Sequence, residues 1–255
     1  MSVRTVGSGQ RVVLCLPGWF GSSTGWGWLP ELVDGDTYTW VFPDYRGYGE
    51  RRGVAGDHTL DEIAADVLAV ADDLGADRFA LLGHSMGGTA AARVLVEAPE
   101  RVSALVGVSP VPASGVPFDN AGWDLFSGAA TDDGNRYAII DLTTGNRHSP
   151  RWIRRMVAHS VERSDRDAFG ALLKAWSGTD FSEQVRGDER VVATPVQVIV
   201  GEHDPALSAD VMRATWLVWH PDAELVVLAN AGHYATEETP VALVTAIEDF
   251  LARHP

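Results

Sequence analysis

Leu81-Leu82-Gly83-His84-Ser85-Met86-Gly87-Gly88 decides the reading of this chain. An apolar run, Phe79 to Leu82, enters it, and a stretch of small residues, Gly88 to Glu97, leaves it. The pattern is strand, tight turn, helix, with Ser85 on the turn. A nucleophilic serine needs that setting: a sharp turn with strained backbone, and glycines two residues to either side so the chains pass without side-chain clash. The hydroxyl then sits at a helix N-terminus, where backbone N–H groups can receive an oxyanion. The motif alone is weak in a chain with 26 glycines, and a second copy occurs at Gly21-Ser22-Ser23-Thr24-Gly25. Ser23 lies well beyond the end of its strand and reads as a loop residue, whereas Ser85 runs straight from strand into helix.

Working outward, strand and helix signals alternate. Arg11 to Leu16 and Tyr38 to Phe42 read as short buried strands, each closed by proline, with a short helix predicted within Trp26 to Val33. Thr59 to Leu74 reads as an amphipathic helix: Thr59 is a candidate N-cap, Glu62 follows three residues later, and Gly75 ends it. Val102 to Val108 is the next strand. From Val111 to about Val191 the rhythm breaks into helical signals, with caps predicted at Ser149-Pro150 and at Ser164 or Asp165. It then returns: strand Val196 to Val200, helix Leu207 to Trp219, strand Leu225 to Leu228, helix Pro240 to Ala252. The expected fold is α/β, a mostly parallel central sheet flanked by helices. Residues 1–110 and 192–255 form the core domain, and residues 111–191 a helical cap inserted in it.

A serine hydroxyl needs an imidazole to take its proton, and the imidazole needs a carboxylate to fix its tautomer. Among the 8 histidines, His233 stands in the loop after the last strand, which sheet topology returns to the edge carrying Ser85. His84 points from the other side of the turn and reads as a structural or pocket-wall residue. His203 neighbours the acid candidate, and His58, His148, His159, His220 and His254 are expected at the surface. Asp204, just past the Val196–Val200 strand, is the preferred acid over Glu202 and Asp119. The order Ser85, Asp204, His233 suits this architecture. Met86, following the nucleophile, and Trp19, in the loop after the first core strand, are the expected oxyanion donors by their backbone N–H groups.

The chain resembles the α/β-hydrolase superfamily through PGWFG at 17–21, FPDYRGYG at 42–49, GHSMGG at 83–88, GEHDP at 201–205 and NAGHYATEETP at 230–240. The resemblance implies an esterase-like acyl-enzyme mechanism under a helical cap. It departs from the family at Pro17, where a histidine is usual and helps order the oxyanion loop. Proline stiffens the backbone but donates no hydrogen bond. A serine at position 85 argues against the epoxide-hydrolase and dehalogenase branches, which use aspartate. The expected reaction is hydrolysis of a carboxylic ester of a small or medium hydrophobic substrate. Lactone, carbon–carbon or thioester cleavage on the same residues are the alternatives, and a ligand-binding protein on this scaffold is a rival of another class.

The predicted cap carries Phe118, Trp123, Phe126, Tyr137, Trp152, Trp176 and Phe181. Phe20, His84, Trp123, Trp152, Trp176 and Tyr234 are the expected substrate contacts. Composition narrows the partners. The formal net charge is -15, from 20 basic and 35 acidic residues, and Lys174 is the sole lysine. That excludes a basic nucleic-acid-binding face and disfavours anionic membranes. No apolar run approaches the roughly 18 residues of a membrane helix. The stretch Met1 to Gly9 lacks a signal-peptide core and Cys15 is alone, so a cytoplasmic location is expected. Cys15, inside an apolar run, reads as buried filler. No metal-ligand spacing or dinucleotide fingerprint is visible, so neither metal nor cofactor is expected and the partner is a small-molecule substrate.

Overall fold

The computed structural model describes residues 3–255; Met1 and Ser2, the start of the amino-terminal stretch read above, lie outside them. Seven strands form one sheet: β1 (Arg4–Val6), β2 (Arg11–Leu16), β3 (Tyr38–Phe42), β4 (Phe79–His84), β5 (Val102–Val108), β6 (Val196–Gly201) and β7 (Glu224–Leu228). Their order is β1-β3-β2-β4-β5-β6-β7. Every pair is parallel except β1 with β3, which is antiparallel. The central strands are continuous apolar runs because both sheet faces are covered. Successive side chains alternate between them: Val13 and Cys15 join one core cluster, Leu14 and Leu16 the other.

Three early helices, α1 (Leu29–Leu32), α2 (Leu60–Asp73) and α3 (Met86–Glu97), and a long C-terminal one described below cover this sheet. Thr59 caps α2 as expected, its Oγ1 accepting the Glu62 amide at 3.1 Å. Gly75, at φ 66°, ends that helix in the left-handed region where glycine carries no Cβ penalty.

Between β5 and β6 the chain is helical: α4 (Asn120–Gly128), α5 (Asp133–Thr143), α6 (Pro150–Arg163), α7 (Arg166–Gly178), α8 (Ser182–Gly187) and α9 (Glu189–Ala193). Ser149 caps α6 and Asp165 caps α7, so of the two candidates for α7 the carboxylate takes the position. The predicted helix over 207–219 is two pieces, α10 (Ala209–Ala214) and α11 (Trp216–Trp219). Thr215, at φ -128° and ψ -86°, breaks it. The chain closes with α12 (Ala235–Glu238) and α13 (Pro240–Arg253). The edge strand β1 was not expected: three residues with no apolar alternation give the sequence nothing to show, and pairing to β3 alone creates it.

The parallel strands β2, β4, β5, β6 and β7 end at one sheet edge, with Leu16 opposite Gly83, His84 opposite Val108, and Gly201 opposite Leu228. The loops that follow therefore gather there. Strand order reverses between β2 and β4, where open α/β sheets bind ligands.

Candidate active site

Ser85 follows β4 directly and has φ 55° and ψ -120°, a strained conformation for a residue with a side chain. Its amide bonds Val108 O at 2.9 Å, and its carbonyl accepts from Gly88 and Val111. The flanking glycines are sterically required. A Cβ on Gly83 would lie 2.3 Å from Gly87 O, and one on Gly87 would lie 2.0 Å from Leu16 O. The second motif has another role. Ser23 is buried, with its amide and hydroxyl both bonded to the Asp44 carboxylate at 2.7 and 2.8 Å, so it anchors a loop.

The β6 and β7 loops bring the other two candidates together. His233 Nδ1 lies 2.7 Å from Asp204 Oδ2, and both side chains are buried. Asp204 Oδ1 accepts the Ala206 and Leu207 amides, each at 3.0 Å. Burial raises the affinity of this carboxyl for its proton. The adjacent His233 and the amide hydrogen bonds outweigh it, so the group sits below its ordinary 3.8. Glu202 instead accepts from the Asn230 amide and His203, and Asp119 caps α4 through Gly122. Ser85 and His233 line one cavity of about 1070 Å³.

His84 also lines it. Its Nε2–H donates to the His233 carbonyl at 2.8 Å. Burial, then the neighbouring His233, pull its pKa down to about 3, so it is a neutral wall of the site. The loop after β2 lies against Ser85: a Cβ on Gly18 would be 3.2 Å from Ser85 Cβ. Met86 opens α3, so its N–H belongs to the helix-end amides that intrahelical bonding leaves over. Pro17 does not leave the loop unheld. The Tyr45 hydroxyl donates to Pro17 O at 2.9 Å, and the Trp19 indole donates to Phe169 O at 2.8 Å. The Trp19 ring stacks on Phe169 at 4.0 Å, tying the loop to α7.

Phe20, Trp152, Trp176 and Tyr234 line the cavity, as does Trp28. Trp123 does not. It is 39% exposed on α4 and faces an outer groove with His58 and Lys174. Phe126, three residues on and about 60° round the helix, takes the inward position beside Trp19 and Trp176. Of the five histidines expected at the surface, His58, His148, His159 and His254 are half-buried and His220 is buried. His220 is buried against Trp216, and burial lowers its pKa to about 4. His159 lines the cavity within 3.2 Å of Ser22 Oγ, and burial, then Arg163, lower its pKa from 6.5. His148 bonds Glu238.

Sequence reasoning also missed Glu238, whose side chain is 1% exposed. Its Oε1 accepts the Tyr234 amide at 3.0 Å. Its Oε2 accepts from the Gly232 amide, Arg147 and His148, each at 2.9 Å. One carboxylate thus grips both sides of His233 and ties that loop to the α5–α6 connection. The only sequence signal was an acidic pair in an otherwise small-residue loop. Glu238→Gln must turn an NH₂ toward one of these donors. The expected result is a fall in turnover per titrated active site of about 10–100-fold, since misplacing a reacting group by an ångström costs that much, with KM little changed. Active-site titration beside steady-state kinetics checks it, and unchanged turnover per site refutes it.

Comparison with known proteins agrees with this architecture. The alpha/beta hydrolase fold family matches residues 11–240, and the chain belongs to it. It is a hydrolase of that fold. It is 26% identical to a 2-hydroxy-6-oxononadienedioate/2-hydroxy-6-oxononatrienedioate hydrolase of Burkholderia vietnamiensis, over 97% of this chain and 89% of that protein. It is 27% identical to a pimeloyl-[acyl-carrier protein] methyl ester esterase of Nitrosomonas europaea, over 96% and 97%. The structure of the enol-lactonase from Burkholderia xenovorans LB400 superposes with a TM-score of 0.82 at 20% identity, covering 98% of this chain and 96% of that one.

Proposed function

We propose that the chain hydrolyses a carboxylic ester of a small or medium hydrophobic substrate through an acyl-enzyme. The carrying observation is the buried Asp204–His233 bond of 2.7 Å opening onto the cavity that Ser85 enters from a strained turn. Ser85 Oγ attacks the ester carbonyl as His233 Nε2 takes its proton. The tetrahedral oxyanion receives the N–H groups of Met86 and Trp19. His233 then protonates the leaving alkoxide, and the C–O bond breaks to give the acyl-enzyme. Water, deprotonated by His233, attacks the acyl carbon, and the proton returns to Ser85 as the acid departs. Asp204 holds His233 with Nδ1–H toward itself, which keeps Nε2 free to accept.

The helices between β5 and β6 act as the cap. Trp152 and Trp176, with Phe20, His84 and Tyr234, form the walls of the acyl site, which favours a hydrophobic acyl group. The same steps open a lactone or cleave a thioester or an activated carbon–carbon bond. The related proteins, a methyl ester esterase, an enol-lactonase and a dienedioate hydrolase, span such substrates. The test is a panel of p-nitrophenyl esters of rising acyl length, a lactone and an acyl thioester, with Ser85→Ala alongside. Ester turnover that depends on Ser85 supports the reading. A panel on which wild type and Ser85→Ala are equally active, or equally inert, overturns it.

A further inference from the structure

The charges around the cavity are unevenly placed. Apart from the histidines and the Tyr234 phenol, its ionisable lining residues are Glu31, Arg155 and Glu237. They share one wall. A Cβ on Gly27 would lie 3.1 Å from the Glu237 carboxyl carbon, and the Trp28 amide bonds Thr236 O. Arg155 is the lining's lone permanent cation among the described residues, and it is already paired: its Nη2 donates to Glu237 Oε2 at 2.7 Å. Glu237 is the buried partner, 11% exposed at the side chain against 56% for Arg155. Glu31 adds a second carboxylate, ion-paired with Arg4 at 3.8 Å. His84 and His159 are both held toward their neutral forms by burial. Trp19, Phe126 and Trp176 form a ring cluster in the lining, with no cation in it.

A carboxylate brought into this space would lose its water, find no unpaired cation and meet a lining whose carboxylates outnumber its arginine by one. Each effect opposes binding. We infer that the site selects neutral acyl groups and rejects those carrying a carboxylate, so the substrate is an uncharged ester or lactone and not a half-ester of a diacid. This rests on the ester-hydrolase reading above. The specificity-determining residues are Glu237, which neutralises Arg155, and Glu31.

The experiment compares two substrates of matched size: the p-nitrophenyl ester of adipic acid monomethyl ester, which is neutral, and the p-nitrophenyl half-ester of adipic acid, which is anionic. The expected kcat/KM ratio in favour of the neutral ester is about 30-fold or more, the scale of an unpaired carboxylate desolvated beside like charge. Glu237→Gln frees the Arg155 guanidinium and is expected to shrink the ratio by about tenfold, the scale of one charge-assisted hydrogen bond. Glu31→Gln, at an exposed position on α1, shrinks it in the same direction if the first variant does not fold. Competitive inhibition by hexylboronic acid against 5-carboxypentylboronic acid gives the same comparison without turnover. A ratio near one for wild type, in esters and boronates alike, overturns the inference while Ser85-dependent hydrolysis stands. Absence of any Ser85-dependent hydrolysis, with no boronate binding, overturns the ester reading and this inference together.

Discussion

Ser85→Ala is expected to abolish ester turnover to within the background, a loss of about 10⁴–10⁶-fold, the range seen when a serine nucleophile is removed, while the fold survives. In the proposed mechanism the chemistry runs through one oxygen. Without Oγ, no acyl-enzyme forms, and the residual rate is what the oxyanion donors and binding alone provide. The fold survives because that oxygen contributes little to it. Ser85 sits at the N-cap position of α3 but its side chain makes no cap hydrogen bond, and the hydrogen bonds that hold the turn are backbone ones. The φ of 55° is a strain on either residue, so alanine neither adds nor relieves much of it. The measurements are kcat/KM on the best ester, a thermal melt, and mass spectrometry after an active-site fluorophosphonate. Wild type gains one adduct on the peptide containing Ser85, and the variant gains none. A variant within tenfold of wild-type rate places the nucleophile elsewhere.

What the sequence made visible was whatever depends on short-range pattern. The short apolar runs marked β2 to β7, and Thr59, Ser149 and the Ser164-Asp165 pair announced their helices because a cap is a local device. Glycine spacing around Ser85 was legible because only a tight turn needs it. What depends on distant partners was not. Nothing local distinguishes Trp123 from Phe126, since which face of α4 turns inward is set by Trp19 and Trp176 across the site. Nothing local marks Glu238, and only the return of the Gly232–Tyr234 backbone over it makes it a buried anchor. The support of the loop after β2 was likewise hidden: Tyr45 lies on the loop after β3, and no spacing predicts that its hydroxyl reaches Pro17 O. His159 read as a helix-surface residue until the loop at Ser22 came against α6.

Asp204→Asn separates orientation from charge at the second proposed member, with a loss of about 10⁴-fold in kcat, as for the corresponding change in serine proteases. The direction follows from the hydrogen bonds around the carboxylate. Oδ1 is held by two donors, the amides of Ala206 and Leu207. An asparagine must leave its oxygen there, because its NH₂ would face two N–H groups. The NH₂ then points at His233 Nδ1, which can only accept. The imidazole proton moves to Nε2, and the face toward Ser85 presents a donor where a base is needed. The protein is expected to lose little stability, since both amides remain satisfied. The pH dependence has a definite sign. The Asp204 carboxyl is depressed below 3.8 in the fold, so the stability its ionisation contributes is fully present above that value and lost only as pH falls through the lower, folded value. His84, with its pKa lowered to about 3, stays neutral above that pH. An acid limb in kcat/KM between about pH 5 and 8 therefore belongs to neither group, and Asp204→Asn should lower the plateau of the profile. Rate–pH profiles and melts of Asp204→Asn beside Asp204→Ala decide the matter. A loss under tenfold in the asparagine variant, with its melt unchanged, means that Asp204 does not orient the base.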